Sequence, residues 1–536
     1  MKCFNSAILW DGVNSEGKTM RKIHGLILVL FIVPYMSQAS QYFNNIGWLD
    51  ATSQLAKLLQ YPAVVEDIYR NNDRQMIWFD LHQSSKLEFQ LEVIHHANFS
   101  PLFSRQLSYL QFYRKSNRWY EYDVLATDTL LLYLSYANVA NKMGHKWFFK
   151  RKMNEPLPLP PNSALVATHR AIDRQELGIL IAAYTPTTLG YKYLIDTYLN
   201  MVRFQKMNVL IYRQNGIKEM GDRLENRAIL LRRLEMVGID IHRVRKDVTW
   251  YDASLEDAIK QFQSLHGIEV DGVIGPVTIK WLNLSVNKRL SILAINAERI
   301  RYWPDQKEQL IVVNVPSFHL KYWRLGETVF ESKVVVGRRG RPTPVMTTKL
   351  HSLILNPTWN VPWRIMVEDI IPKVKKDKNY LVRHNIKIVP KWGASDFINP
   401  ESIDWDRLKP SRFPYQMTQM SGDKNALGLF KFNTPNRRAI YLHDTPVKSL
   451  FDETQRAFSS GCIRIEHADL FADLLLESEG LAIEEEDNEP LGSNQSIPLK
   501  SRIPVHIIYQ TAWYEGGNVH YREDIYRMDR FRYTKS

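Results

Sequence analysis

The spacing of apolar residues changes near residue 307, and this change divides the chain into helical and strand-forming parts. Over residues 40–221 apolar side chains recur at intervals of three and four, as within 125–134. Beyond residue 307 they alternate or form β-branched runs, as within 310–315. We therefore predict a multidomain α+β chain with a helical scaffold domain (40–221), a small helical module (222–285), a linking helix (286–306) and a mainly-β domain (307–536).

The first 39 residues have the pattern of a secretory signal peptide. Basic residues precede an apolar run over 25–33, and a small-x-small triplet over 37–39 follows it. The run is shorter than the roughly 20 residues that a membrane span requires, so we expect cleavage near Ala39, with a membrane anchor as the alternative. Because the residues before Met20 are polar for such a leader, we expect synthesis to start at Met20.

The net charge limits which binding partners this chain can have, and the cysteine content limits its disulfide bonds. The formal net charge is +13 at pH 7, and an exported basic protein needs an anionic partner. No basic run interleaved with aromatic residues is present, so we expect an acidic envelope polymer or an anionic lipid surface rather than nucleic acid. The two cysteines are Cys3, which leaves with the signal peptide, and Cys462, which then has no intramolecular partner.

The module over 222–285 has its own helix signals. A capping-box pattern over 254–257 opens a helix with an apolar face, and a turn over 270–272 precedes a second helix that starts at Pro276. The order of these features resembles the peptidoglycan-binding domain type 1, a three-helix module of cell-wall enzymes. A plain helical hairpin that packs on the scaffold is the alternative, and wall binding by this copy is a hypothesis.

The strand patterns of the last domain are interrupted by a long insertion. They run from residue 310 to residue 362 and resume over 428–432 and 439–443, whereas residues 363–427 show no strand periodicity. An insertion of this length between neighbouring strands is usually functional, so we predict a capping insertion. We expect the C-terminal segment from about residue 512 to pack on the same sheet.

Cys462 and His443 are the candidates for chemistry. Cys462 precedes a helix pattern that starts near residue 466, so we expect the helix dipole and the nearby Arg464 to lower the pKa of its thiol. His443 ends an apolar strand and could act as the base of a Cys–His acyl-transfer pair. An inert buried cysteine and a structural histidine are the alternative explanation.

The residues around Cys462 also suit acyl transfer. Gly461 and the small Ser460 leave room for a substrate, and backbone N–H groups at this turn could form an oxyanion hole. His443, a spacer and then Ser459-Ser-Gly-Cys-Ile-Arg464 resemble the signature of the YkuD-type L,D-transpeptidase catalytic domain. The extended pattern is similar to that of the large YcbB-like branch of Gram-negative bacteria. Many members carry histidine where this chain has Ser460, so an auxiliary role of that histidine does not transfer.

The resemblance implies a ping-pong reaction on peptidoglycan stem peptides, without a metal or organic cofactor. Cys462 would form a thioester and His443 would carry protons, and a diaminopimelate amine would then take the acyl group to form a cross-link. The family also implies inactivation of the thiol by carbapenems. The predicted site residues are Cys462, His443, Gly461, Ser460 and Arg464 for catalysis, with the N–H groups of Gly461 and Cys462 as oxyanion donors, and Tyr441 and Trp359 for the substrate pocket.

Several alternatives stay open on the sequence. The same thioester intermediate is compatible with an L,D-carboxypeptidase, with exchange of the terminal D-amino acid and with attachment of a lipoprotein to the wall. A non-catalytic wall-anchoring protein is the alternative outside the enzymes. Ser285-x-x-Lys288 fits a serine D,D-transpeptidase, but Lys-Thr-Gly and Ser-Asp-Asn do not occur, and His-Glu-x-x-His of zinc peptidases is also missing. The sequence leaves protein partners and oligomeric state open.

Overall fold

The structure is a computed structural model that describes residues 53–150, 153–303, 308–480 and 494–529. The predicted signal peptide over 1–39 and the predicted start at Met20 lie outside these residues. Within the described ranges, no helix is both long and apolar enough to cross a membrane. The predicted multidomain α+β architecture is confirmed, with helices before residue 303 and a strand-rich domain after residue 308.

The scaffold is built around one long helix. Its helices are α1 (Pro62–Asn71), α2 (Leu81–Ala97), α3 (Pro101–Lys115), α4 (Trp119–Phe149), α5 (Asn162–Asp173), α6 (Leu177–Ala183) and α7 (Leu189–Gln205). Every residue of α4 from Tyr122 to Tyr136 is buried, because this stretch is apolar on nearly all sides. The other helices therefore enclose α4.

Two buried carboxylates attach loops to the enclosed helix α4. Asp123 accepts hydrogen bonds from the backbone N–H groups of Ile77 and Trp78, at 3.0 and 2.7 Å. Asp128 accepts from the N–H groups of Gln60 and Tyr61, both at 2.8 Å. Burial raises the pKa of Asp123 to about 6 and that of Asp128 to about 7. These bonds place the chain segments that precede α1 and α2.

The small module contains three helices, as predicted. They are α8 (Arg227–Met236), α9 (Ala253–His266) and α10 (Pro276–Leu282), and α11 (Val286–Arg299) links the module to the next domain. The capping-box prediction is wrong in its register, because α9 starts at Ala253 with Asp252 as its N-cap residue. Asp252 forms a buried ion pair with Arg227 at 2.8 Å and does not cap the helix through its side chain.

The C-terminal domain is formed by strands and four short helices. Its strands are β1 (Gln309–Asn314), β2 (His319–Arg324), β3 (Glu327–Gly337), β4 (Met346–Leu355), β5 (Trp359–Asn360), β6 (Ile386–Val389), β7 (Gln416–Gln419), β8 (Phe430–Asn433), β9 (Leu442–His443), β10 (Ala457–Ser459), β11 (Ile463–Ile465), β12 (Gln495–Ile508), β13 (Ala512–Glu515) and β14 (Asn518–Tyr521). Its helices are α12 (Trp363–Ile365), α13 (Ile371–Lys376), α14 (Tyr380–Arg383) and α15 (Ala468–Ser478), with a π-helical turn (Met366–Ile370) between α12 and α13.

Nine of these strands form one sheet, in the order β10-β3-β11-β9-β8-β4-β12-β1-β2. Because β2 also pairs with β3, all of them except β10 close into a ring. Helix α15 covers one face of this sheet with apolar residues, and the ring of Phe471 contacts the rings of Tyr322, Phe330 and Phe432 at centroid distances of 6.0, 4.9 and 4.8 Å. The opposite face of the sheet remains available for a site.

The capping insertion is a small folded unit with its own core. It contains a separate three-stranded sheet, β5-β7-β6. Its buried residues, among them Met366, Ile371 and Trp405, form a hydrophobic cluster apart from the main core. The expectation that 363–427 lacks strands is therefore wrong. Strands β6 and β7 have only four residues each and β5 has two, which is too short for alternation to be recognised against the surrounding helices.

The C-terminal segment contacts the catalytic sheet, as expected, but its hairpin also packs on helices. Strands β13 and β14 pair with each other and contact α7 and α9. Glu515 of β13 forms an ion pair with Lys321 of β2, and the Tyr526 hydroxyl donates to the Gly337 carbonyl of β3. Tyr514 stacks on Tyr193 of α7 at a centroid distance of 3.8 Å, and Tyr521 stacks on His266 of α9 at 5.1 Å. Aromatic side chains on both helices thus provide a partner surface that the sequence did not reveal.

Candidate active site

Two short neighbouring strands carry the predicted cysteine–histidine pair. In the parallel pairing of β9 with β11, Leu442 lies beside Ile463 and His443 beside Arg464. Side chains alternate along a strand, so His443 and Arg464 share one face of the sheet. Leu442 and Ile463 are buried in the core on the other face. Cys462 directly precedes Ile463 and therefore lies on the face of His443.

The turn that precedes β11, here called the cysteine turn (residues 459–462), is held by hydrogen bonds. The Gly461 N–H donates to the Ser459 hydroxyl at 3.1 Å, and this hydroxyl donates to the Cys462 carbonyl at 2.5 Å. Gly461 has φ +124°, a backbone conformation that residues with a side chain rarely adopt. The Thr343 hydroxyl donates to the Gly461 carbonyl at 2.7 Å. The backbone is thus fixed on both sides of Gly461.

His443 is oriented by a backbone carbonyl. Its Nδ1 lies 2.5 Å from the carbonyl oxygen of Asp444. A carbonyl can only accept a hydrogen bond, so Nδ1 carries the proton and Nε2 is left as the basic nitrogen. Burial, followed by the charge of Arg464, lowers the pKa of His443 to about 3. The imidazole is therefore neutral at pH 7.

Cys462 is a free thiol, half-buried between the turn and β9. Its Sγ lies 3.6 Å from the carbonyl oxygen of Ala439, to which the S–H donates. Burial raises the pKa of the Cys462 thiol, while Tyr441 and the charges of Lys431 and Arg464 oppose this rise. At neutral pH the resting site therefore holds a protonated thiol beside a neutral imidazole.

The expectation of a thiol pKa lowered by a helix N-terminus is wrong. Cys462 is followed by strand β11, and helix α15 begins only at Ala468. The helix dipole acts mainly within the first turn of a helix, so it does not reach the thiol from there. Helix-like spacing after residue 466 was correctly recognised, but the three-residue strand before it was too short to predict.

Both predicted pocket residues lie at the site. Tyr441 precedes Leu442, and its hydroxyl lies near the side chain of Cys462, whose charge, second to burial, helps to raise the pKa of Tyr441. The ring centroid of Tyr441 lies 5.7 Å from that of His443. Trp359, from β5 at the edge of the capping insertion, lies near the Tyr441 hydroxyl. Burial raises the pKa of Tyr441, so its hydroxyl stays protonated near neutral pH. The two residues connect the insertion to the cysteine.

The remaining predicted residues, Ser460 and Arg464, are also at the site. The Ser460 hydroxyl accepts a hydrogen bond from Nη1 of Arg341 at 2.9 Å. Arg464 lies beside His443, and burial lowers the pKa of its guanidinium. Its Nε has no hydrogen-bond partner within the described ranges. Six of the seven predicted residues thus lie in the cysteine turn, β11, β9 or directly before β9, and Trp359 belongs to the separate sheet of the insertion.

The sequence did not identify Lys431 as part of the site. Lys431 of β8 lies opposite His443 in the antiparallel register, and its Nζ lies 4.6 Å from the ring centroid of Tyr441. Its charge favours the thiolate of Cys462. A lysine between Phe430 and Phe432 in an apolar strand was the available signal, but its meaning depends on which strand pairs with β8.

The weak serine motif has a structural explanation. Ser285 is the N-cap residue of α11, and its side chain accepts a hydrogen bond from the N–H of Lys288 at 3.3 Å. The spacing of serine and lysine is therefore that of a helix cap.

The raised pKa of Cys462 predicts how the thiol reacts with an alkylating reagent. We expect the rate of alkylation by iodoacetamide to rise about tenfold per pH unit between pH 6 and 8, because only the thiolate reacts. Cys462 is the sole cysteine after residue 39, so the label reports on this residue alone. Mass spectrometry of timed samples gives the rate. A plateau below pH 8 would contradict the prediction, because it would indicate a preformed thiolate.

Comparison with protein families agrees with this site. Residues 308–487 match the family model YkuD, the L,D-transpeptidase catalytic domain. Residues 223–282 match the family model "Putative peptidoglycan binding domain", and residues 63–197 match a scaffold domain.

Individual proteins show the same similarity. A curated protein of Haemophilus influenzae, named "Putative L,D-transpeptidase", is 45% identical over 240 residues, which cover 44% of this chain and 48% of that protein. The chain thus spans about half the length of that relative. The solved L,D-transpeptidase (Yku) of Stackebrandtia nassauensis is 15% identical, with a TM-score of 0.22 over 56% of this chain and 96% of that one. An L,D-transpeptidase from Mycobacterium smegmatis is 13% identical, with a TM-score of 0.19 over 38% of this chain and 58% of that one.

Residues 308–487 thus match the YkuD L,D-transpeptidase catalytic domain, and residues 223–282 match a peptidoglycan-binding domain. The two resemblances predicted from the sequence are confirmed.

Proposed function

We propose that this protein is an L,D-transpeptidase that forms diaminopimelate–diaminopimelate cross-links in peptidoglycan through a thioester on Cys462. The observation that carries the proposal is the sheet face that Cys462 shares with the neutral imidazole of His443. Peptidoglycan is the substrate because both matched families act on the cell wall or bind to it. Acyl transfer by a cysteine requires a thiol and an adjacent general base.

In the first half-reaction, Sγ of Cys462 attacks the carbonyl carbon that joins the L-centre of diaminopimelate to the terminal D-Ala. The thiol proton passes to Nε2 of His443. The C–N bond then breaks, and the D-Ala amine leaves with that proton. Because the pKa of His443 is about 3, a free imidazolium is costly, so the proton moves as the S–C bond forms and not before it.

In the second half-reaction, a side-chain amine of diaminopimelate from a second stem peptide attacks the thioester. His443 takes a proton from this amine, the C–S bond breaks, and the thiolate of Cys462 recovers the proton. Lys431 and Arg464 both favour the thiolate electrostatically, and they therefore stabilise the leaving group in this step.

The developing oxyanion is stabilised by the N–H of Cys462. Within the described residues this N–H has no hydrogen-bond acceptor, whereas the N–H of Gly461 is engaged with the Ser459 hydroxyl. The Gly461 N–H would have to leave that hydroxyl before it could donate to a substrate. Of the two donors predicted from the sequence, we therefore favour Cys462.

The choice of acceptor separates the alternatives within this chemistry. Water as acceptor makes an L,D-carboxypeptidase, and a lipoprotein amine makes an attaching enzyme, with the same thioester in both. The capping insertion lies over the site through Trp359 and is our candidate for the element that selects the acceptor.

The other parts of the chain fit an enzyme that works on the cell wall. We propose that residues 1–39 direct export to the periplasm and that the module around α8–α10 holds the enzyme near peptidoglycan. Without residues 1–39 the formal net charge is 13 − 2 = +11, which favours the acidic wall polymer as a partner.

Product analysis tests the function. Purified residues 40–536 are incubated with a disaccharide-tetrapeptide that ends in D-Ala, and a Cys462→Ala variant serves as control. We expect a cross-linked dimer that is one D-Ala lighter than two substrate molecules, and no such product with the control.

Two other outcomes would change the assignment. A tripeptide product without a dimer would indicate a carboxypeptidase. Identical results for both proteins, with the substrate unchanged and binding to purified sacculi retained, would favour the non-catalytic wall-anchoring protein.

A further inference from the structure

The connection between β3 and β4, here called the support loop (residues 337–343), holds the cysteine turn residue by residue. The N–H of Arg338 donates to the Ser459 carbonyl at 2.9 Å. Nη1 of Arg341 donates to the Ser460 hydroxyl at 2.9 Å, and the Thr343 hydroxyl donates to the next carbonyl of the turn at 2.7 Å. Three successive residues before Cys462 thus depend on one loop.

The support loop is itself rigid. A side chain at Gly337 would lie 2.3 Å from the Arg341 carbonyl oxygen, so the loop folds tightly on itself. Tyr526 binds both ends of the loop: its hydroxyl donates to the Gly337 carbonyl at 2.5 Å and accepts from the N–H of Thr343 at 3.2 Å. A force applied to this loop is therefore transmitted to the cysteine turn.

Arg341 also binds the capping insertion. Nη2 donates to Glu368 at 2.5 Å and to Asp369 at 3.1 Å, and Nη1 makes a further contact with Asp369. Both carboxylates belong to the π-helical turn of the insertion, and hydrogen bonds from Arg341 lower their pKa values. The side chain of Arg341 is only 5% exposed, so its buried positive charge is compensated by these two carboxylates.

The guanidinium of Arg341 thus connects the cysteine turn to the insertion, and Arg338 of the same loop adds a contact to Asp369 at 3.3 Å. The insertion has its own core, apart from that of the main sheet, and so can shift as a unit. A shift that separates Glu368 and Asp369 from Arg341 would leave a buried, unpaired charge beside Ser460. The planar guanidinium holds its partners in fixed directions, so loss of the carboxylates also removes what orients Nη1 toward Ser460.

We propose that Arg341 is a positioning residue that couples the capping insertion to the cysteine turn. With the insertion seated, the pair Glu368 and Asp369 fixes Arg341, and Arg341 fixes Ser460 and the residues that follow. The catalytic consequence rests on the proposed function, whereas the coupling itself does not. The thiol of Cys462 is then aligned for attack only when the insertion lies over the site.

The test removes the carboxylate charges without removing their volume. Glu368→Gln combined with Asp369→Asn is compared with Arg364→Gln, because Arg364 contacts the same Glu368 at 2.9 Å from the solvent side and, among the described residues, makes no hydrogen bond to the cysteine turn. Backbone hydrogen exchange is measured for peptides that cover the insertion and the cysteine turn. We expect exchange in both segments of the carboxylate variant to rise roughly tenfold, and exchange in the turn of Arg364→Gln to stay at the wild-type value.

Turnover provides the second readout. We expect the carboxylate variant to lose at least about tenfold in kcat with little change in KM, because the bound substrate meets a misaligned thiol. Arg341→Lys keeps the charge but cannot hold Ser460 and both carboxylates together, so it should show the same exchange pattern and kcat loss.

The coupling would be overturned if exchange in the carboxylate variant rose only in the insertion. It would also be overturned if exchange in the cysteine turn rose as much in Arg364→Gln as in the carboxylate variant. An unchanged kcat in an active carboxylate variant would overturn the positioning role. If the wild-type chain forms no product, the proposed function fails, and the exchange experiment still decides whether Arg341 couples the two segments.

Discussion

Replacing His443 with alanine is expected to lower the rate at which Cys462 is acylated at pH 7 by at least about a thousandfold. Nδ1 of His443 is bound to the Asp444 carbonyl, so Nε2 is the basic nitrogen on this face. Burial keeps the thiol protonated at neutral pH, and without the imidazole only a small thiolate fraction can attack. Release of D-Ala in a single turnover measures the rate. His467→Ala, which alters an exposed histidine beyond β11, is the matched control and should retain full activity.

The pH dependence of the same rate gives an independent check. The pKa of His443 is about 3, so the imidazole stays neutral from pH 5 to 8, and the wild-type rate should be nearly flat over this range. The rate of His443→Ala should instead rise about tenfold per pH unit, in proportion to the thiolate of Cys462. An acid limb near pH 6.5 in the wild-type enzyme would contradict this account, because it would mean that His443 titrates as an exposed histidine.

The fold was predictable where one periodic pattern is long. Helix α4 and strands β1–β4 follow from the spacing of apolar residues, because each contains enough residues for its period to show. The two-residue strand β9 and the three-residue strand β11 do not follow from it. The prediction that Cys462 directly precedes a helix was wrong for that reason, because β11 lies between them. Local sequence cannot assign a period to such short segments.

The same limit applies to the site. Cys462, His443 and the residues beside them were found because they are close in sequence and form a recognisable motif. Arg341 and Lys431 reach the site only through pairing between distant segments, as in the parallel pairing of β3 with β10. The strand order β10-β3-β11-β9-β8 joins segments more than a hundred residues apart, and apolar spacing does not specify such an order.

Substituting alanine for Gly461 is expected to reduce turnover by about a hundredfold while the domain remains folded. The φ angle of Gly461 is +124°, which strains a residue with a side chain, and the added Cβ would lie 3.3 Å from Cδ1 of Ile440. The turn would relieve this strain by rotating the peptide that leads into Cys462. That rotation moves both the Cys462 thiol and the N–H that we assign to the oxyanion, so one substitution disturbs two catalytic groups.

Gly340→Ala is the matched control for this prediction. Gly340 lies in the support loop near the same site, but a Cβ there would meet no atom within 4 Å, so activity should stay at the wild-type value. Turnover of both variants is measured with the disaccharide-tetrapeptide, and circular dichroism confirms that each is folded. Equal turnover in the two variants would show that the conformation of Gly461 does not set the position of the thiol. A loss in Gly461→Ala alone would locate the sensitivity in the residue that directly precedes Cys462.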